Sequence, residues 1–320
     1  MADVTFLNIM KWSDEQCREY LESQRWPDGP ICPKCGESEH WTINRKSATK
    51  NVVKKLYRCK NKECGKQYTA TVGTIFEDSK IPLSKWFAAI YLMCASKKGT
   101  SAHQIHREMD VTYKSAWFMC HRIREMMQNR DERPLSGIVE ADETYVGGKP
   151  RGHRADRVGR PMSVAIKEAW AKKTPVFGMV ERGGRVRTMV IPKLTQRGVQ
   201  AKLKGNIDLP NAKLMTDEHG LYAGIELHLP HGVIRHKSEY VRGPIHTQSI
   251  ESYWAILKRG LFGTFHHVDA GYLGQYLHEF EYRYNSRMVS DAERFSALMR
   301  QSQGRVTWFC QTPQPENPFA

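Results

Sequence analysis

The sequence predicts an α/β fold preceded by a small cysteine-bearing module and a helical segment, and three observations carry that expectation. Two close cysteine pairs, Cys32/Cys35 and Cys59/Cys64, stand in a stretch rich in turn residues. From Leu83 to Met127 apolar residues recur at helical spacing. After Pro134 the pattern changes to strands: GIVEADETYVGG, then TPVFGMVERGGRVRTMVI with Arg182-Gly183-Gly184 as its hairpin turn, then AKLMTDEHG. Helical stretches separate and follow these strands, the order expected when helices cover a sheet.

Taken in order, residues 1–27 read as a helical lead-in, with Ser13 as N-cap ahead of Asp14 and Glu15, whose charges suit the positive end of a helix. Pro27-Asp28-Gly29-Pro30 breaks it and opens the cysteine-bearing segment, residues 28–75. Residues 80–133 form the helical segment. Its first helix, KWFAAIYLMCAS, is apolar on several sides and would be capped by Ser84. Lys97-Lys98-Gly99-Thr100 ends that helix, and SAHQIHREM then turns at Asp110-Val111-Thr112 into a longer helix whose stripe is Ala116, Met119, Cys120, Ile123 and Met127. The α/β domain is expected over residues 135–300, with helices near Gln196 to Leu203, Ser249 to Leu261 and Ala270 to Arg287. Residues 301–320, ending in QTPQPENPFA, read as a disordered tail.

The net charge of +15 is what a polyanion binder shows, although a merely basic soluble protein shares it. Distribution sharpens the reading: Arg45 to Lys66 holds nine Lys/Arg against Glu63 alone, and Lys149 to Lys173 holds eight against Asp156 and Glu168. The longest apolar run, Trp86 to Ala95, falls well short of the roughly 20 residues that span a bilayer. With no basic-then-apolar pattern at the amino terminus, the expectation is no membrane and a cytoplasmic, nucleoid setting.

In such a setting cysteines are thiols or metal ligands before they are disulfides. Cys32-Pro-Lys-Cys35 and Cys59-Lys-Asn-Lys-Glu-Cys64 each lie on a turn followed by glycine, Gly36 and Gly65. Four thiolates so paired close a tetrahedron around one structural Zn²⁺. The alternatives are two disulfides or a redox-active C-x-x-C, the latter lacking a surrounding βαβ unit. Cys17, Cys94, Cys120 and Cys310 read as core or surface thiols.

The helix pair within 80–133 has the outline of a helix-turn-helix. In such a unit the second helix enters the major groove, so Tyr113, Lys114 and Ser115 would meet base edges and His121, Arg122 or Arg124 the phosphates. A plain helical hairpin has the same outline.

Three acids carry the remaining chemistry. Asp142 lies in an apolar strand, Asp217 ends another, and Glu251 lies beside the buried stripe Ile250, Trp254 and Leu257 of a helix. Lys258 follows Glu251 by seven residues, nearly two turns, so both share a face. Carboxylates at a sheet are costly to desolvate without a compensating cation, and hard Mg²⁺, for which Mn²⁺ can substitute, prefers such oxygens plus water and phosphate. Two ions about 4 Å apart would activate an attacking hydroxyl and stabilise the leaving oxygen. Singly, Asp142 reads equally as a hydrogen-bonded acid, Asp217 as part of a turn, and Glu251 as a surface partner of Lys258.

The ordered set CPKCG, YRCKNKECGKQYTATVGTIFEDSKIPLSKWF, EADETYVGGK, TDEHGLY, HTQSIESYWAILKRGLFGTFHHV and EFEYRYNSR resembles the bacterial insertion-sequence transposases that carry an amino-terminal zinc ribbon, the ISXO-like family. The resemblance runs from about Arg25 to Arg287. It implies an RNase H-like catalytic domain behind a zinc ribbon and helix-turn-helix, with a DDE triad on Asp142, Asp217 and Glu251 and a trailing lysine at Lys258. Branches of the family differ at the third acid, and His246 and Gln248 stand near Glu251; Glu143 and Glu218 are lesser alternatives. The run KPRGHRADRVGR would be a DNA-gripping arm through Lys149, Arg151, Arg154, Arg157 and Arg160, or a solvated loop. His266 and His267 either approach the scissile phosphate or finish a helix. The implied partners are the element's own ends and target DNA, held by a homodimer or larger assembly. Rival readings are a catalytically inert transposase-derived DNA-binding protein and a nuclease that cuts without joining.

Overall fold

The computed structural model describes residues 4–46, 53–147, 173–234, 243 and 245–302. Contacts divide the chain into two units: residues 1–96, 100–127 and 289 onward, and residues 97–99 with 128–288. The arm residues Lys149, Arg151, Arg154, Arg157 and Arg160, Cys310 and nearly all of the expected tail lie outside the described residues.

In the first unit the lead-in is two helices, α1 (Phe6–Lys11) and α2 (Asp14–Arg25), because Trp12 leaves helical geometry and Ser13 starts afresh. Ser13 builds a capping box: its hydroxyl accepts from Gln16 N at 3.2 Å, and Gln16 accepts from Ser13 N at 2.8 Å. A three-stranded sheet follows, β1 (His40–Lys46), β2 (Val53–Cys59) and β3 (Gln67–Tyr68), antiparallel in sequence order. Helix α3 (Leu83–Ala95) begins one residue earlier than its expected cap. Pro82, preset near helical φ at −53°, holds the N-cap position and Ser84 lies inside the first turn. Helices α4 (Ala102–Met109) and α5 (Tyr113–Met126) are joined through Asp110, which adopts φ +46°, with Thr112 capping the second.

The second unit is built on a five-stranded sheet of β4 (Leu135–Val146), β5 (Thr174–Glu181), β6 (Val186–Val190), β7 (Ile207–Asp217) and β8 (His231–Ile234), in the order β6-β5-β4-β7-β8. Strands β4, β5 and β6 are antiparallel neighbours, whereas β7 and β8 join parallel on the other side of β4. One face buries Val139, Ala141, Phe177 and Leu214 against α6 (Gln196–Asn206) and the turns around Tyr222 and Ile225. The other buries Val176 and Val180 against Ile250, Trp254 and Leu257 of α7 (Gln248–Gly260) and Leu277 and Phe280 of α8 (Leu273–Asn285).

The edge strand β6 is covered by α8. Asn285 pairs with both backbone groups of Val186, at 2.7 and 3.0 Å, and Glu281 accepts from Thr188 N at 3.1 Å. Four helix residues rise about 6 Å and two strand residues about 6.6 Å, so one helix face meets every second residue of the edge. The EFEYRYN run is therefore an edge cover, which keeps an open ladder from pairing elsewhere.

The expected boundary at residue 300 is not where the contacts divide. Helix α9 (Asp291–Arg300) groups with the first unit, where Phe295 packs on Tyr20, Phe87 and Tyr91, and Ser296 bonds Tyr20 at 2.9 Å. Adjacency in sequence to α8 says nothing about which core an amphipathic helix will join.

Candidate active site

The cysteine centre is built by two turns. Gly36, at φ +79°, returns its N–H to Cys32 O, and Gly65, at φ +50°, returns its N–H to Asn61 O, each at 2.9 Å. The positive φ that each turn needs is the conformation glycine adopts without a Cβ clash. Cys32 Sγ lies 3.7 Å from Cys64 Sγ, Cys35 Sγ lies 3.5 Å from Cys59 Sγ, and all four sulfurs lie within 4.8 Å of one another. Zinc–thiolate bonds of about 2.3 Å require sulfurs about 3.8 Å apart in a tetrahedron, so the set fits structural zinc. At Cys32 burial raises the thiol pKa, but backbone N–H groups of Cys35 and Lys34 outweigh it and bring the group down to about 7. Trp26 sits edge-on to Tyr57 and Tyr68 at 5.9 Å, a small aromatic core that α2 shares with the ribbon.

Of the expected DNA readers, Tyr113 and Lys114 are exposed and Ser115 half-exposed at the start of α5. Tyr113 stacks on His103 of α4, with ring centroids 4.3 Å apart. The phosphate contacts expected of His121, Arg122 and Arg124 are corrected by the structure, which buries all three. Arg122, 7% exposed, donates to the carbonyls of Ile75 and Glu77 at 2.6 and 3.1 Å and covers the Phe118 ring, while Arg124 is 1% exposed. All six residues from Met119 to Arg124 are buried, so this part of α5 is enclosed on every side, which charge alone did not reveal.

In the sheet, Asp142 pairs with Gly178 across the antiparallel β4/β5 ladder. On its other side the parallel register places Val139 opposite Leu214 and Glu140 opposite Met215. Two residues further along that register Asp142 stands beside Asp217, at the end of β7. Burial, then the neighbouring charges of Glu143 and Asp217, push Asp142 up to about 7. Burial also raises Glu143, which points to the opposite face, accepts from Tyr222 Oη at 2.6 Å and lies 3.7 Å from His219 Nδ1. Asp217 accepts from the His219 backbone at 3.0 Å, and an open hollow of about 590 Å³ lined by Asp217, Glu218, His219, Tyr222 and His231 adjoins it.

Helix α7 lies across the Asp142 face. Trp254 Nε1 donates to Asp142 Oδ2 at 3.0 Å. Trp254 reaches it only because residue 178 is glycine: a Cβ there would lie 2.6 Å from the indole. Glu251 is exposed in the first turn of α7, where Thr247 Oγ1 donates to it at 2.7 Å, and Lys258 is exposed further along the same face. Asp142 and Asp217 are brought together and Glu251 is carried to the same face of the sheet. Among the described residues, though, only the four cysteines gather at ligand distance from one another. The repulsion among Asp142, Glu143 and Asp217 is what a dication among these hard oxygen donors would relieve.

Sequence reasoning missed Gly178, Glu140 and the polar role of Trp254. Alternation does put Glu140 on the Asp142 face, but the partner on β5 and the reach of an indole N–H depend on strand pairing and helix placement.

Residues 12–67 match the transposase zinc-ribbon domain and residues 134–285 the ISXO2-like transposase domain. A protein described as an uncharacterized protein in transposable element ISH50 of Halobacterium salinarum is 28% identical over 279 residues, covering 85% of this chain and 90% of that protein. The two matched regions hold all four cysteines and all three acids in the order set out above, and among the described residues no helix is long and apolar enough to cross a membrane. The chain thus carries, in order, a region similar to the transposase zinc-ribbon domain and a region similar to the ISXO2-like transposase domain.

Proposed function

We propose that this chain is a DNA transposase that binds the terminal inverted repeats of its element and cuts and joins DNA at an RNase H-like DDE site. The observation that carries the reading is the juxtaposition of Asp142 and Asp217 on adjacent parallel strands, under the helix that bears Glu251. Three antiparallel strands extended by two parallel ones, with acids on the central strand and its parallel neighbour, support the RNase H-like expectation.

Asp142, Asp217 and Glu251 would hold Mg²⁺ or Mn²⁺, which when bound supplies Lewis acidity to the attacking and leaving oxygens. Trp254 fixes the Asp142 carboxylate, the His219 backbone fixes Asp217, and Thr247 fixes Glu251, so that each acid presents a defined oxygen. Lys258, exposed two turns along from Glu251, would meet a phosphate of a strand lying on that face. Water first breaks a phosphodiester at each end and leaves a 3′-hydroxyl. That hydroxyl then attacks a target phosphorus, forming a new P–O bond and releasing the target strand's own 3′-hydroxyl. Tyr113 and Lys114 would read the ends from α5 beside the zinc ribbon, and a dimer or larger assembly would hold two ends at once.

The test is purified protein with DNA carrying the sequences that flank its gene, assayed for 3′-end nicking and joining. Mg²⁺-dependent joining is expected, with a loss of at least 1,000-fold in Asp142→Ala. Specific binding with no cutting under any metal would overturn the reading in favour of an inert DNA-binding protein.

A further inference from the structure

We propose that Glu140 is a positioning residue that caps the helix carrying Glu251 from the neighbouring strand, and so sets Glu251 over Asp142. The inference rests on the reading of Asp142, Asp217 and Glu251 as a metal-holding site. Glu140 is fully buried and lies two residues before Asp142 on the same face of β4. Its carboxylate is committed to the start of α7. One oxygen accepts from the backbone N–H groups of Ser249 and Ile250 at 2.7 and 3.1 Å, and the other from Ser249 Oγ at 3.0 Å. Arg182 Nε donates to that second oxygen at 2.6 Å and its Nη2 donates to His246 O at 2.8 Å, tying the residues that lead into the helix to the same clamp.

The first N–H groups of a helix have no partner within it and are ordinarily met by the N-cap side chain. Thr247 occupies the N-cap position of α7 and is the right residue type, yet its side chain makes no cap bond. Its hydroxyl donates instead to Glu251 Oε1 at 2.7 Å. Glu140 thus takes over the capping from another element and releases Thr247 to orient the acid. A second peg lies one turn on, where Trp254 meets Asp142. The pegs at Ile250 and Trp254 are four helix residues apart, about 6 Å. Their partners Glu140 and Asp142 are two strand residues apart, about 6.6 Å. Helix and strand are therefore matched in pitch, and Glu251 lies between the two pegs. A buried ion pair is poor value as a source of stability, since well-packed apolar residues do as well. What apolar residues lack is a way to hold two chosen N–H groups at one place on a strand.

The experiment uses the full-length zinc-loaded protein and Mn²⁺ as probe, with affinity read by titration calorimetry. Hydrogen exchange at the Ser249 and Ile250 amides is read in the same samples without Mn²⁺. Asp142→Asn is expected to abolish Mn²⁺ binding at the site. Glu140→Gln is expected to weaken Mn²⁺ at least tenfold and to speed exchange of those two amides at least tenfold, with the zinc content unchanged. Ser249→Ala removes a single donor and is expected to weaken Mn²⁺ about threefold; it decides the matter if Glu140→Gln does not fold. Unchanged Mn²⁺ affinity in the folded Glu140 variant, or in Ser249→Ala where that variant fails to fold, overturns the positioning role while Asp142→Asn still loses binding. If Asp142→Asn itself binds Mn²⁺ as the unaltered protein does, the site reading falls and the positioning role with it.

Discussion

Asp142 holds its proton to about pH 7 in the folded protein, because it is buried beside Glu143 and Asp217, whereas in an unfolded chain it ionises in the ordinary carboxylate range. Between those limits the folded state binds the extra proton, so stability of the magnesium-free protein falls as pH rises from about 4 to about 7. The shift corresponds to roughly 2–4 kcal/mol at most. Urea midpoints measured across that window should decline, and Asp142→Asn should flatten the decline; an equal slope in the variant would remove Asp142 as its source. Gly178 makes a second prediction at this scale. In Gly178→Ala the new methyl would meet the Trp254 ring at 2.6 Å and push the indole off Asp142. Overpacking of this kind costs about 1–3 kcal/mol. DNA cleavage should fall at least tenfold while end binding, measured by gel shift, stays within about twofold, roughly the loss of one aligned catalytic contact.

At the scale of elements, a basic residue on a helix serves as a DNA contact only if its face is outward. Lys114 meets that condition on α5, and Arg122 does not, since its guanidinium holds the carbonyls of Ile75 and Glu77. Lys114→Ala is expected to weaken end binding and to reduce its salt dependence by about one unit of slope with stability unchanged. Arg122→Ala should instead lose about 2–4 kcal/mol of stability, because the buried carbonyl of Ile75 and the half-buried one of Glu77 lose their donor. Binding isotherms at several salt concentrations, paired with thermal unfolding, separate the two; parallel effects on binding alone would contradict the assignment. The pair of helices α4 and α5 was legible in the sequence through the stripe Ala116, Met119, Cys120, Ile123 and the turn at Asp110. The burial of Arg122 was not, because a 3.6-residue period names the apolar face but not the polar residues drawn in beside it by carbonyls from elsewhere.

For the whole molecule, the two units bear unequally on the end of the chain. Helix α9 completes the first unit through Phe295, enclosed by Tyr20, Phe87 and Tyr91. A chain ended at Met288 should lose at least about 3–5 kcal/mol from that unit, the usual cost of removing a buried aromatic. The five-stranded sheet of the second unit should keep its slow amide exchange; exchange rates that rise equally in both units would show one cooperative body instead.

The sequence by itself determined the local chemistry: the cysteine knuckles with their glycines, the cap at Ser13, the strand runs holding Asp142 and Asp217, and the shared face of Glu251 and Lys258. These are set within a few residues of one another, where turn preferences and periodicity act directly. Only the tertiary structure decided the pairing of β4 with β7 that sets Asp142 beside Asp217, and the pairing with Gly178 that admits Trp254. It likewise decided the clamp of Glu140 on α7 and the return of α9 to the first unit. Those contacts join residues tens to hundreds of positions apart, and their geometry is set by register and packing, which no local pattern encodes.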